Sequence, residues 1–439
     1  MAKSFMETQR TSHQSWHPAN CYIRARSIDM SLPRPLINRD RTQSVLETFG
    51  VDAMVLTDPT SIYQATGYWP QTVAMGQMGA AMAVVPADRK RPVALITSQF
   101  LHYLYDLDDA PSGSPLQFFL YTAPFGMEGA ASAPLFLPEM PDGRPDPWDR
   151  ITRDATLSQL ELRPAFPSAL AALQGALEDA GAKGLIGTDS LLVEAYLGDI
   201  FTYRPADPLL RRIRMIKSPD EIALMRYAAR TNAEVARTCI LAMKPGDRYE
   251  DLRRSFFAET GKRGGSALFI STDSPSIRQR DGIIREGRSF QIDAVSSYGG
   301  YHGDYGRTVF VGEADPVIRR TLDASIVANQ AITKILKPGL RYSEVAKIGK
   351  DAIRDAGYDV IVPCTAHSVG LFHTDEAYKD DALHFVKDDH LIEKDMTLSI
   401  DCPALIADGA GNVHLEDLWL ITEDGCEPLN DTSDPFLQI

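Results

Sequence analysis

The stretch SFQIDAVSSYGGYHGDYGRTVFVG, residues 289–312, decides the fold. It reads as a β-hairpin: an apolar strand carrying Asp293, turn chemistry in SSYGGYHG, and a return strand carrying Asp304 eleven positions on. A second stretch of the same design, LSIDCPALIADGAGNVHLEDLWLIT, spans residues 398–422. There Asp401 ends an alternating strand, DGAGN makes the turn, and Glu416 sits in the return strand fifteen positions later. Carboxylates embedded among Ile, Val, Leu and Phe are costly, because an unpaired buried charge either destabilises the fold or neutralises. Four of them converging would also repel one another. Two divalent cations offset four negative charges and remove both problems. His367, in VIVPCTAHSVGLFH (360–373), offers an imidazole from a third segment. An oxygen-dominated set with one nitrogen suits Mn, Fe, Co or Zn.

Each hairpin is preceded by the same punctuation. KPGDRYEDL begins at Lys244 and KPGLRYSEV at Lys337, each after a long helical pattern and before another. Two copies of KPG-x-RY imply two structurally related halves rather than a solenoid. Upstream, RPADPLLRRIRMIKSPDEI (204–222) reads as two prolines, a basic strand, and a helix start capped by Ser218 with Glu221 at its third position. A boundary is therefore expected near 210, with one domain over 39–210 and a second over 211–439. In the first, RDRTQSVLETFG (39–50) reads as a helix closed by glycine, and VDAMVLTD as a buried strand. GAAMAVVPADRKRPVALIT (79–97) has the form of a hairpin, and PSALAALQGALEDAG (167–181) of a helix. Alternating helices and strands fit an α/β domain. Residues 105–150, rich in Pro, Gly and Ala, read as a long surface excursion, and residues 1–38 as an irregular arm.

The whole-chain properties narrow the function. At 439 residues two domains are the default. A formal charge of -14 argues against nucleic acid. No apolar run is long enough to span a bilayer, and the polar start lacks a secretory h-region, so a cytoplasmic protein is expected. The five cysteines are scattered with no CxxC pair, which argues against a disulfide framework or thiolate zinc site.

The sequence resembles the prolidase, aminopeptidase P, creatinase and methionine aminopeptidase superfamily. GVDAMVLTDPTSIYQATGY (50–68), RRIRMIKSPDEIALMRYAA (211–229), IDAVSSYGGYHGDYGRTVF (292–310), AHSVGL (366–371) and HLEDLWLITEDGCEPL (414–429) carry the likeness in order. It implies an N-terminal creatinase-like α/β domain followed by an α+β pita-bread catalytic domain with a pseudo-two-fold repeat. It also implies the metal ligands Asp293, Asp304, His367, Asp401 and Glu416, and commonly a homodimer. The expected activity is hydrolysis of a C–N bond in a small peptide, as in Xaa-Pro dipeptidases. Three positions depart from the family pattern. Asp401 stands where Glu is usual, residues 271–293 hold no histidine upstream of the first metal Asp, and His373 lies six rather than seven positions past His367. They motivate an alternative, a non-peptidase such as a dimethylsulfoniopropionate lyase or a creatinase-like hydrolase of a small zwitterion. Val295, where those lyases carry a further Asp, weighs against the direct lyase transfer. A third alternative is a metal-free binding protein.

Other residues are read with both a chemical and a plain role. His373 is a proton shuttle or substrate donor, or else a solvated loop histidine; its neighbour Asp375 is a possible acid or base. His414, two before Glu416, projects from the same strand face and would touch substrate or the metal ligands from behind. Arg278, Arg280 and Arg307 offer guanidinium forks for a substrate carboxylate, with structural support the plainer role for Arg307. Tyr301 is a further substrate contact expected in the first hairpin.

Overall fold

The computed structural model describes residues 34–104, 115–122, 147–272, 282–358, 364–379, 386–403 and 412–439. The first domain is a six-stranded sheet in the order β4-β3-β2-β1-β5-β6. Its strands are β1 (Ala53–Leu56), β2 (Ala81–Pro86), β3 (Val93–Ser98), β4 (Leu116–Tyr121), β5 (Leu185–Thr188) and β6 (Thr202–Pro205). Around them run α1 (Arg39–Phe49), α2 (Pro59–Thr66), α3 (Gln71–Ala74), α4 (Gln99–Leu104), α5 (Pro147–Leu162), α6 (Ala169–Ala180), α7 (Leu191–Leu197) and α8 (Asp207–Arg214). Apolar residues cover both faces of β1 to β4. Met54, Leu56 and Val85 meet Leu209 and Ile213 of α8 on one side, and Val55, Val84 and Ile96 meet Leu173 and Leu177 of α6 on the other. The strands consequently read as continuous apolar runs rather than alternations.

Three expectations change here. The excursion expected over 105–150 contains β4, whose LQFFLY pairs in parallel with β3, and the start of α5. The basic strand expected after the two prolines is instead largely helix α8, because Leu209, Leu210 and Ile213 recur at helical spacing and bury together. The last residues of the expected arm are packed: Leu36 and Ile37 are buried, and Asn38 caps α1 by accepting from Arg41 N.

The second domain is one curled sheet in the order β10-β11-β12-β9-β8-β7, flanked by β13 on β12 and β14 on β9. These strands are β7 (Ser266–Thr272), β8 (Arg288–Tyr298), β9 (Tyr301–Val311), β10 (Thr365–Ser368), β11 (Thr397–Asp401), β12 (Glu416–Ile421), β13 (Cys426–Pro428) and β14 (Phe436–Gln438). Helices α9 (Pro219–Leu241) and α10 (Tyr249–Lys262) precede the first hairpin; α11 (Pro316–Thr333) and α12 (Tyr342–Asp355) precede the second. Ser218 and Glu221 form the expected capping box at α9. The KPG-x-RY echo is structural. Gly246 N donates to Ile284 O at 2.8 Å and Gly339 N to Ile392 O at 2.9 Å, while α10 and α12 both begin at the tyrosine of the motif. Each half has its own core, around Ile240, Leu252, Phe256 and Phe290 in one and around Ile332, Val345, Ile353 and Leu398 in the other. Among the described residues no helix is long and apolar enough to cross a membrane.

Candidate metal centre

The sheet register builds the site. Asp293 of β8 lies opposite Gly306 of β9, Gly306 opposite Glu416 of β12, Glu416 opposite Asp401 of β11, and Asp401 opposite Thr365 of β10. One row crossing five strands thus carries three of the expected ligands. Side chains alternate along a strand, so Asp304, two before Gly306, and His367, two after Thr365, face the same way. At the middle of the row Gly306 leaves space: a Cβ there would stand 2.8 Å from Glu416 Cβ and 2.9 Å from His414 Nε2.

Donor atoms of Asp293, Asp304 and Glu416 lie within 4.8 Å of one another, as do those of Asp304, His367 and His373, and those of Asp401, His414 and Glu416. Asp304 and Glu416 are shared between overlapping groups. His367 Nε2 is 3.4 Å from both Asp304 Oδ2 and Glu416 Oε1. His373 Nε2 is 3.2 Å from Asp304 Oδ2, and His414 Nε2 is 2.8 Å from Asp401 Oδ1 and 3.3 Å from Glu416 Oε2.

The electrostatics call for positive charge. Burial, then Glu416 and Asp304, pushes Asp293 up to about 8, and burial with Glu416 drives Asp304 well above the carboxylate range. Burial would raise Glu416 too, but hydrogen bonding to His367 and His414 holds it well below that range. Among the described residues, Oδ1 of Asp304 and Oδ1 of Asp293 are buried with no hydrogen-bond donor, and Oδ2 of Asp304 meets the ring nitrogens of His367 and His373. Orphaned buried carboxylate oxygens facing one another are what a cation bed requires, and the donor set fits divalent cations of the Mn, Fe, Co and Zn type.

Other expected site residues fall elsewhere. Arg307 is fully buried with its donors committed: Nη2 gives to Asp417 Oδ1 at 2.6 Å, Nη1 to Glu416 O at 2.9 Å, and Nε to Asp434 O at 2.7 Å. It braces the strands and has no fork left for a substrate. Tyr301 is a core residue whose hydroxyl donates to Glu221 Oε1 at 2.8 Å, not a substrate contact. Asp375 is not a free acid or base. Arg214 Nε donates to its Oδ1 at 2.6 Å and Leu371 N to its Oδ2 at 3.1 Å. Arg278 and Arg280 lie outside the described residues. His373 is half-buried at the rim, its ring edge-on to His367 and Phe269.

Sequence reasoning missed Ser399, which donates to Glu416 Oε1 at 2.6 Å. Its position two before Asp401 in an alternating strand was the available signal. It also missed Lys217, buried with Nζ donating to Ser368 Oγ at 3.0 Å. Lys217 holds the end of β10 and Arg214 holds Asp375, one on each side of the segment that carries His373.

A curled sheet of two equivalent halves with a carboxylate row at its centre defines a metal-binding pita-bread protein. Residues 223–423 match the model of Metallopeptidase family M24. The chain is 27% identical over 234 residues to the "Probable dipeptidase PepE" of Mycobacterium tuberculosis, covering 51% of this chain and 61% of that protein. It thus spans less than two thirds of that relative's length. Among solved structures, the X-Pro aminopeptidase from Thermotoga maritima superposes with a TM-score of 0.64 at 14% identity, covering 90% of this chain and 100% of that one. A dipeptidase from Pyrococcus horikoshii gives 0.62 at 17% identity, covering 91% and 99%. The chain shares the fold of these dipeptidase and aminopeptidase structures, and its second domain is similar to the M24 metallopeptidases.

Proposed function

We propose that this protein is a dinuclear metal-dependent hydrolase of a C–N bond in a short peptide, of the dipeptidase or aminopeptidase kind. The observation that carries this reading is the sharing of Asp304 and Glu416 between overlapping donor groups, which suits two adjacent cations better than one. Asp293, Asp304, His367, Asp401 and Glu416 hold them. Bound there, divalent cations supply Lewis-acid activation of water and of the scissile carbonyl. Glu416, whose carboxylate lies beside His367 and His414, would take the proton of the attacking water. His373, at the rim 3.2 Å from Asp304, donates to the carbonyl oxygen as negative charge develops. We take the active form to be a cytoplasmic homodimer, with residues 39–210 and 211–439 as its two domains. The relative named as an Xaa-Pro dipeptidase, from Pyrococcus furiosus, supports a peptide substrate.

A panel of dipeptides with and without proline, plus creatine and dimethylsulfoniopropionate, assayed in Mn, Co, Fe and Zn, tests the proposal. Peptide turnover that falls at least a hundredfold, on the order expected for a misassembled site, in Asp304→Asn is the expected result. Turnover indifferent to that change, or confined to the two non-peptides, would sink it.

A further inference from the structure

We propose that His414 is itself a metal ligand, so that the centre carries one imidazole for each of its two cations. The inference rests on the dinuclear reading above and concerns which side chains fill the coordination shells.

The register of the two halves points to it. Gly306 and Glu416 pair across the centre of the sheet, where the two halves meet. Asp293 opposes Gly306 in the first hairpin, and Asp401 opposes Glu416 in the second. Exchanging the halves therefore places Asp401 on Asp293 and Glu416 on Gly306. Two positions earlier, Asp304 lies within β9 and His414 just ahead of β12, bonded to Thr308 of β9, so the exchange places His414 on Asp304. Asp304 is one of the ligands already assigned, and His414 occupies the equivalent seat in the other half.

Distances agree. Donors sharing one cation at bonds of about 2.1 Å stand roughly 3.0–3.4 Å apart. His367 Nε2 meets this at 3.4 Å from each of two carboxylates and His414 Nε2 at 3.3 Å from Glu416, while its 2.8 Å to Asp401 is a hydrogen-bond distance that a shared cation would open. The ring is buried, and Thr308 holds its backbone on both sides, accepting from His414 N at 2.9 Å and donating to His414 O at 3.1 Å. It is thus unsuited to meet a substrate at the mouth, which His373 can do. Room for the ring comes from Gly306, where any Cβ would press on Cε1 and Nε2 at 2.9 Å. Asp401 ends β11 with the His414 ring beside it, so a carboxylate and an imidazole face the same place.

X-ray absorption of protein loaded with two zinc or cobalt ions counts the imidazoles. Wild-type protein should show one imidazole per metal; His414→Gln loaded with two metals should show half of that, and after dialysis it should retain one metal instead of two. His414→Arg separates a ligand from a mere hydrogen-bond partner of Asp401, because guanidinium can satisfy the carboxylate but not bind the cation. This variant should also retain a single metal. A wild-type count of half an imidazole per metal overturns the proposal, and that measurement needs no variant to fold. Two metals held with wild-type affinity in His414→Arg would overturn it as well. Should wild-type protein bind no metal under any loading, the dinuclear reading itself falls, a result distinct from two metals with one imidazole.

Discussion

The two halves of the second domain share a plan and differ at the line where they meet. Each runs helix, KPG-x-RY turn, helix, hairpin, and each buries a separate core. On the central pair of strands, however, equivalent positions carry unlike residues: Gly306 against Glu416, Asp304 against His414, Arg307 against Asp417. A residue on a two-fold line meets its own counterpart, so identical side chains there would collide or repel. Divergence is therefore required by contact where Gly306 meets Glu416 and Arg307 meets Asp417. One half leaves the row open and the other extends a carboxylate across it, while on the opposite strand face one half supplies a cation and the other an anion.

The largest expected effect comes from closing the open position. Gly306→Ala puts a Cβ 2.8 Å from Glu416 Cβ, a backbone-anchored neighbour that cannot swing aside. Displacing Glu416, and His414 with it, should lower peptide turnover on the order of a hundredfold and reduce retained metal. Circular dichroism should still report a folded chain. An alanine variant with full metal content and turnover would show that the row tolerates a side chain from both halves.

Next is the charge pair behind the row. Arg307 and Asp417 are both buried, 2.6 Å apart, and Asn430 Nδ2 also donates to Asp417 at 2.7 Å. Arg307→Met leaves a buried carboxylate without its partner and should cost about 3–5 kcal/mol in urea unfolding. The double variant Arg307→Met with Asp417→Leu removes both charges and should recover about half of that loss. It cannot recover all of it, because the Glu416 and Asp434 carbonyls also lose their donor. A double variant no better than the single would mean that Arg307 acts through those carbonyls alone.

Much of this was legible in the sequence, and the residues explain why. Asp293, Asp304, Asp401 and Glu416 stand out because acids in apolar strands violate the pattern around them. The repeated KPG-x-RY stands out because it is local. Register is not local: that Gly306 faces Glu416, or that Tyr301 points its hydroxyl at Glu221, depends on pairing between strands far apart in the chain. The same limit applies to Asp375. Its neighbours in sequence are polar, and only folding brings Arg214 against it. Helix α8 was missed for a different reason. Arg211, Arg212 and Arg214 hide its apolar stripe from a reading by charge, although Leu209, Leu210 and Ile213 lie on one face. In the first domain β4 was lost inside a Pro- and Gly-rich stretch whose composition outweighed six residues of strand.

The smallest effect tests the likeness of the halves rather than their difference. Gly246 and Gly339 sit at φ 98° and 96°, in the turn of each KPG-x-RY motif, with open space where a Cβ would go. Their N–H groups donate to equivalent carbonyls, Ile284 and Ile392. Alanine at either place is opposed by backbone strain alone, so each should lose about 1 kcal/mol of stability. The two losses should match to within about 0.5 kcal/mol and add in the double variant, since the turns share no partners. Equal losses would mean that the turns still do the same work in both halves. A loss confined to one would show that divergence has spread from the central strands to the turns, and would place the more rigid half on the side that loses more.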